Sequence, residues 1–459
     1  MHSPIFYLFF ACYLLLCAYI GWCGINALPR NWLLRAGWVI CIAFLSFSFI
    51  AGYTLRTHSS TLLGQPVDYL LRNIGVTWIV TTPYWATAAV FWRALGFVNK
   101  RRRIFPAWVG AHYSRAKFLA LVATVAITAG IFAVGYFHFT HPVITTLNLK
   151  IAKRAALPAS AHADPSATPN TLHIVVAADF HLGDTIGLTR LRDYVARINA
   201  LKPDIILIPG DTIDRSVASL EAQNMGPELA KLHAPLGVFA VLGNHEGYAG
   251  TEPSAAFLSK WGIRVLRDEV LEIANGAFYL AGRNDSSSFS RQPIDRLLAG
   301  IDRARPIILM DHQPRDLDEP AAAGVDLQFS GHTHGGQIWP VTWIVRFIYE
   351  NAHGYLRKNN FQVYVTSGLG LWGFPARIGS SSEIVDVRVE FGPPAAEIPN
   401  SEIPLRGSAS GLTIPNKSQR QNPSTPLGAW PDNSKGRGCA ASADLAVCAT
   451  CAAARPRRA

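Results

Sequence analysis

Between Cys41 and Cys439 the chain has no cysteine. That absence removes disulfides and thiolate zinc sites from the whole middle of the protein. The seven cysteines fall elsewhere: Cys12, Cys17, Cys23 and Cys41 in apolar runs, and Cys439, Cys448 and Cys451 near the end. The spacing of Cys448 and Cys451 matches a redox or zinc pair, but the surrounding sequence has no structured texture. Charge is the second scarcity. Residues 5–28 carry none, and further apolar runs cover about 33–53, 74–92 and 118–139. Each is long enough to cross a bilayer, which predicts four spans, the third interrupted by Pro83. No basic residue precedes the first run, and it is too long for a secretory signal. Ionisable residues at the spans are few, Asp68 and Arg72 beside the third and His138 near the end of the fourth. A transporter or sensor needs intramembrane charge, so an anchoring role is favoured.

Positive charge is in excess, 42 Lys and Arg against 31 Asp and Glu. Much of it borders apolar runs, as at Lys100, Arg101, Arg102 and Arg103, or ends the chain at Arg455, Arg457 and Arg458. Basic residues beside spans are orientation signals, so no nucleic-acid partner is expected. The first and third connections hold Arg30, Arg35, those four residues, Arg115 and Lys117. The opposite side holds Arg56, Arg72, Lys150, Lys153 and Arg154. This asymmetry predicts a multi-pass inner-membrane protein with its soluble part on the periplasmic or extracellular side.

The sequence divides into an anchor at 1–142, a linker at 143–170, an α/β domain at 171–391 and a Pro/Ser/Ala-rich tail, expected to be disordered, at 392–459. Within the α/β domain, buried strands are expected at 172–178, 204–209, 237–242, 263–273, 277–282, 306–310, 325–330, 361–366 and 384–391. Helices are expected at 187–200 and 217–233.

Five of these strand ends carry metal-binding chemistry. The first ends in Asp179-Phe180-His181, the second in Gly210-Asp211 with Asp214 just beyond, and the third in Gly243-Asn244-His245-Glu246. Asp311-His312 follows the strand at 306–310, and Gly331-His332-Thr333-His334-Gly335-Gly336-Gln337 follows that at 325–330. One strand-end Asp or Asn is ordinarily a helix cap, and one His an ordinary structural residue. Five clusters in succession, where ligands of open α/β sheets collect, point instead to a metal centre.

These motifs resemble the calcineurin-like metallophosphoesterase superfamily. The resemblance covers roughly 171–391 and rests on D-F-H, G-D-T-I-D, G-N-H-E, an isolated histidine and G-H-T-H. Gly335-Gly336-Gln337, Ser367-Gly368-Leu369-Gly370 and Arg377-Ile378-Gly379 are similar to the bacterial membrane- or wall-associated phosphodiesterase subgroup. The resemblance implies an αββα sandwich holding two divalent metals bridged by one carboxylate. Asp179, His181, Asp211 and His334 would hold the first, and Asp211, Asn244, His312 and His332 the second. The nitrogen and oxygen set suits Mn, Fe or Zn. Two cations clamp phosphoryl oxygens and acidify a bridging water, which supplies the nucleophilic hydroxide.

His245 is expected to protonate the leaving oxygen, with Glu246 orienting it, although Glu246 can instead cap the next helix. Asp214 reads as an acceptor behind a ligand histidine or as a helix start. Arg377 can pair with a substrate phosphate or form an ordinary ion pair. The apolar stretch 338–349 is either core or a lid whose aromatic rings enter the adjacent leaflet. Together these features predict a membrane-anchored phosphodiesterase or diphosphatase acting on a lipid-linked or envelope phosphoester. Alternatives are a UDP-2,3-diacylglucosamine diphosphatase of lipid A synthesis, with a cytoplasmic catalytic domain, and a non-catalytic binding module on the same fold.

Overall fold

The computed structural model describes residues 4–57, 65–288 and 290–392. The expected tail lies outside the described residues apart from Gly392, as do Cys439, Cys448 and Cys451. Among the described residues, four helices are long and apolar enough to cross a membrane. They are α1 (Pro4–Ala27), α2 (Trp32–Thr57), α3 (Gln65–Arg102) and, after a short α4 (Ala107–Ala111), α5 (Tyr113–Thr140). Pro83 does not interrupt α3, which runs on through it at both ends beyond the expected run.

Behind α5 stand two six-stranded sheets. The first has the order β1 (Val143–Ile151), β12 (Glu383–Phe391), β2 (Thr171–Val176), β3 (Ile205–Pro209), β4 (Val238–Val241), β5 (Arg264–Val265). The second has the order β10 (Gly354–Lys358), β11 (Phe361–Val365), β9 (Leu327–Ser330), β8 (Ile307–Met310), β7 (Phe278–Gly282), β6 (Glu269–Ile273). Alternate residues of a strand face opposite layers. Ile174 and Val176 therefore enter a core between the sheets with Ile205, Leu280, Ile308 and Phe329. Val175 and Ala177 face outward onto the helix Leu188–Ala200 through Leu191, Tyr194 and Ile198. The far side of the second sheet is covered by Ile294, Leu297 and Leu317. The result is the expected α/β/β/α layering. Strands buried on both faces explain the unbroken apolar runs that mark them in the sequence.

Three segments depart from expectation. The run 263–273 is two strands, because Asp268 adopts a left-handed backbone between them. The helix expected at 217–233 is two short ones, Val217–Ala222 and Gly226–Leu229, divided where Asn224 takes φ 52°.

The third departure concerns the linker. Residues 143–151 are not a tether but β1, paired in parallel with β12 from Val143 opposite Glu383 to Ile151 opposite Phe391. Its alternation sends Leu149 and Ile151 into the inter-sheet core, and burial there outweighs its polar Thr and Asn residues. Only His141 and Pro142 separate α5 from β1. The last membrane helix is thus joined almost directly to a sheet.

The helices also touch the domain through side chains. Phe139 at the end of α5 belongs to the domain core. Phe132 meets Phe374 at 5.1 Å between ring centres. The Gly135 carbonyl accepts the Arg377 amide at 2.9 Å, and Arg190 donates to the Thr140 carbonyl at 3.1 Å. From α3, Arg72 pairs with Asp184 at 3.3 Å.

Candidate metal centre

Because β2, β3 and β4 run parallel, and β8 runs parallel to β9, their carboxyl ends open toward common edges of the sandwich. Asp179 and His181 follow β2, Asp211 follows β3, Asn244 and His245 follow β4, His312 follows β8, and His332 and His334 follow β9. Asp179, His181, Asp211, His332 and His334 all have positive φ, between 49° and 71°. Such backbone is uncommon outside glycine and gathers where a site imposes it. It turns each side chain back across its own strand end.

Two glycines let these turns close together. A Cβ on Gly331 would lie 2.3 Å from Asp179 Oδ2, and one on Gly243 would lie 2.2 Å from Asp211 Oδ1. Any side chain there would displace a carboxylate.

The expected ligands come together as two groups. Asp179, His181 and His334 have ligand atoms within 4.8 Å of one another, and so do Asp211, His312 and His332; a third set, His181, Asp211 and His245, overlaps both. Asp211 Oδ2 stands 3.7 Å from His181 Nε2 and 3.2 Å from His312 Nε2, between the groups. The Asn244 Oδ1 atom faces His312 Nε2 at 3.1 Å and His332 Nδ1 at 2.9 Å.

The donor chemistry fits cations. His181 Nε2 and His334 Nε2 face each other at 3.0 Å. Two basic ring nitrogens so placed must share a proton or a cation. His312 points Nδ1 at the Pro209 carbonyl, 2.8 Å away, which fixes the ring and leaves Nε2 toward Asp211 and Asn244. Burial holds His332 and His334 neutral, the coordinating form; the neighbouring rings of His312 and His181 add to the effect. Burial also pushes Asp179 up, to about 6.

His245 sits at the rim of the first group. Its Nδ1 is 2.9 Å from Asp214 Oδ1, and its ring meets His181 edge-on at 4.4 Å. Burial opposes a charge there, but Asp211 and Asp214 outweigh it and raise the pKa to about 9. One expectation changes here. Glu246 does not touch this imidazole but takes the other role expected of it, capping the helix Asn244–Ala249 through the Gly243 amide; it also accepts the amides of Asp211 and Ile213, tying two strand-end loops together. The partner of His245 is Asp214. An acidic residue next in sequence was the more obvious choice, but successive residues at a helix start point in different directions.

Arg377 does not face a substrate. It is fully buried, and its guanidinium donates to the carbonyls of Gly368, Gly370 and His334 behind the centre. A lone basic residue in a Gly-rich stretch carries no sequence signal for that role. Asp311, beside His312, also turns away, into the guanidinium groups of Arg291 and Arg283.

The calcineurin-like phosphoesterase family profile matches residues 172–336. An uncharacterized metallophosphoesterase of Aquifex aeolicus is 38% identical over 227 residues, covering 48% of this chain and 85% of that protein. One from Helicobacter pylori is 34% identical over 224 residues, covering 48% of this chain and 60% of that protein. A zebrafish (Danio rerio) transmembrane protein with metallophosphoesterase domain is 32% identical over 233 residues, covering 48% and 53%. The chain thus spans little more than half the length of the Helicobacter and zebrafish relatives.

Proposed function

The chain belongs to the calcineurin-like phosphoesterase family, and from that premise we propose that it is a membrane-anchored, metal-dependent phosphodiesterase or diphosphatase. The observation that carries this reading is the convergence of seven side chains from five loops into two ligand groups with Asp211 between them. Asp179, His181, Asp211 and His334 would hold one divalent cation; Asp211, Asn244, His312 and His332 would hold the other. Such a pair supplies positive charge to the phosphoryl oxygens and acidifies water.

The chain's own groups do the rest. Asp214 anchors Nδ1 of His245, so Nε2 is the nitrogen left to give a proton to the leaving oxygen. Glu246 keeps the loops after β3 and β4 at a fixed distance through three amides. Arg377 braces the His334 loop from behind. These contacts preorganise the site, and preorganisation is where an electrostatic catalyst gains its advantage.

The substrate class follows from the setting. Two residues separate a candidate membrane helix from the first sheet, which supports a centre close to the bilayer surface. A lipid-linked or envelope phosphoester suits that position. The exposed rings of Trp339, Trp343 and Phe347, which follow the His334 loop in the chain, support it. A nucleotide-lipid substrate of lipid A synthesis would need the domain in the cytoplasm, and the distribution of Lys and Arg argues for the other side. A non-catalytic binding module is disfavoured by the complete set of ligand residues and by His245 on its acceptor.

The full chain, purified in detergent and loaded with Mn, should hydrolyse bis(p-nitrophenyl) phosphate and lose that activity to a chelator. His334→Ala should lower bound metal, measured by elemental analysis, together with activity. A chain that binds none of Mn, Fe or Zn would overturn the reading.

A further inference from the structure

An open groove runs from the membrane helices to the metal centre. One wall is the end of α2, with Phe49, Gly52 and Tyr53; a second is the start of α3, with Tyr69 and Val76. Leu371 and Trp372 of the domain form the third, and the groove ends at His181 and Asp214. The two arginines along it are already paired, Arg72 with Asp184 at 3.3 Å and Arg215 with Asp214 at 3.3 Å. With Asn73 and Thr185 as further polar residues, the groove offers a ligand a mixed surface whose larger part is aromatic and aliphatic, leading to a ligand histidine.

We propose that this groove receives the hydrocarbon chain of an amphiphilic phosphoester, whose phosphate lies at the metal centre while its chain lies along the faces of α2 and α3 that line the groove. This rests on the phosphohydrolase reading and adds a binding site to it. Three features commit the groove to a lipid chain. Two of its walls belong to helices long and apolar enough to lie in the membrane, so a chain already in the bilayer reaches it without crossing water. Its inner end is lined by a residue of the metal cluster itself. Its position is also fixed: β1 follows α5 after two residues, Arg72 ties α3 to the loop after β2, and Phe132 and Gly135 of α5 pack on the segment 374–378. The groove does not depend on a flexible arm swinging into place.

The test uses full-length protein in detergent micelles with two p-nitrophenyl phosphodiesters, one bearing a methyl group and one a hexadecyl chain. Wild type should favour the hexadecyl ester in kcat/KM by roughly tenfold or more, the scale of discrimination an apolar pocket provides. Val76→Trp, which fills the groove, and Tyr53→Ala, which opens its wall, should each reduce that ratio several-fold in the same micelles. Metal content equal to wild type shows that a variant's centre is intact. As a readout apart from turnover, a hexadecylphosphonate with a diazirine at its tail should photolabel residues 49–53 or 69–76. A ratio that neither metal-replete variant alters overturns the groove, and so does labelling confined to the other faces of the helices. If label enters the groove but the metal-loaded chain hydrolyses neither ester, the groove stands and the phosphohydrolase reading falls.

Discussion

His245 and Glu246 are neighbours in sequence with separate tasks. His245 meets Asp214 at the site, whereas Glu246 is buried and occupied with three backbone amides. His245→Ala should therefore cut kcat on a phosphodiester by about 10²–10⁴-fold, the usual contribution of a positioned proton donor, and leave bound metal near the wild-type amount. Elemental analysis beside initial rates separates this from loss of the centre; full activity in the variant would exclude His245 from catalysis.

Glu383 makes a different contribution. It lies behind the centre, accepting from Thr145, Tyr364, Thr366 and the Ser367 amide, with His353 at 3.4 Å. Burial pushes its pKa up, but His353 and the hydroxyls of Thr145 and Tyr364 outweigh burial and hold it at about 2. A folded value below the ordinary one adds stability above the ordinary value and loses it as pH falls through the folded one. Wild type should lose thermal stability between about pH 5 and pH 2 by an amount of order 3 kcal/mol, and Glu383→Gln should melt lower at pH 7 with a flatter profile across that window. Identical melting profiles for the two proteins would contradict the assignment.

The helix Val341–Ile348 follows the metal loop after the turn at Pro340 and is neither core nor ordinary surface. Only Thr342 is buried, while Trp343, Ile344 and Ile348 are exposed and Phe347 is 88% exposed. The turn leading into the helix meets α3. The Tyr84 hydroxyl of α3 donates to the Trp339 carbonyl, and the two rings stack at 6.3 Å. An apolar face beside spanning helices is stable where lipid covers it, and Trp favours the interface. A nitroxide at Phe347→Cys, with the protein in nanodiscs, should be more accessible to oxygen than to a water-soluble nickel chelate. The opposite order would place this helix in water.

As a whole, the protein joins its two parts through several separate contacts. α5, β1 and β12 form a continuous path from membrane to catalytic sheet, and Arg72, Tyr84, Phe132 and Gly135 add contacts beside it. Crossing by all four candidate spans would put the α/β domain on the opposite side from Lys100, Arg101, Arg102 and Arg103. Protease added to intact spheroplasts should accordingly cleave the domain, while cytoplasmic markers survive. Protection until the membrane is broken would reverse the topology and favour a cytoplasmic nucleotide-lipid.

The layered fold, the four apolar helices and the candidate ligands that converge can be read from residue order, because each leaves a local mark. Strands buried on both faces must be apolar throughout, spans must exclude charge, and ligands at strand ends need particular residue types beside glycine. The partner of His245, the burial of Arg377, the occupation of Glu246, the pairing of β1 and the groove between α2, α3 and the centre left no such mark. Each depends on which surfaces far apart in the chain come within a few ångströms, and on whether a polar group finds its acceptor before it finds water. Chain order leaves that choice open; packing settles it.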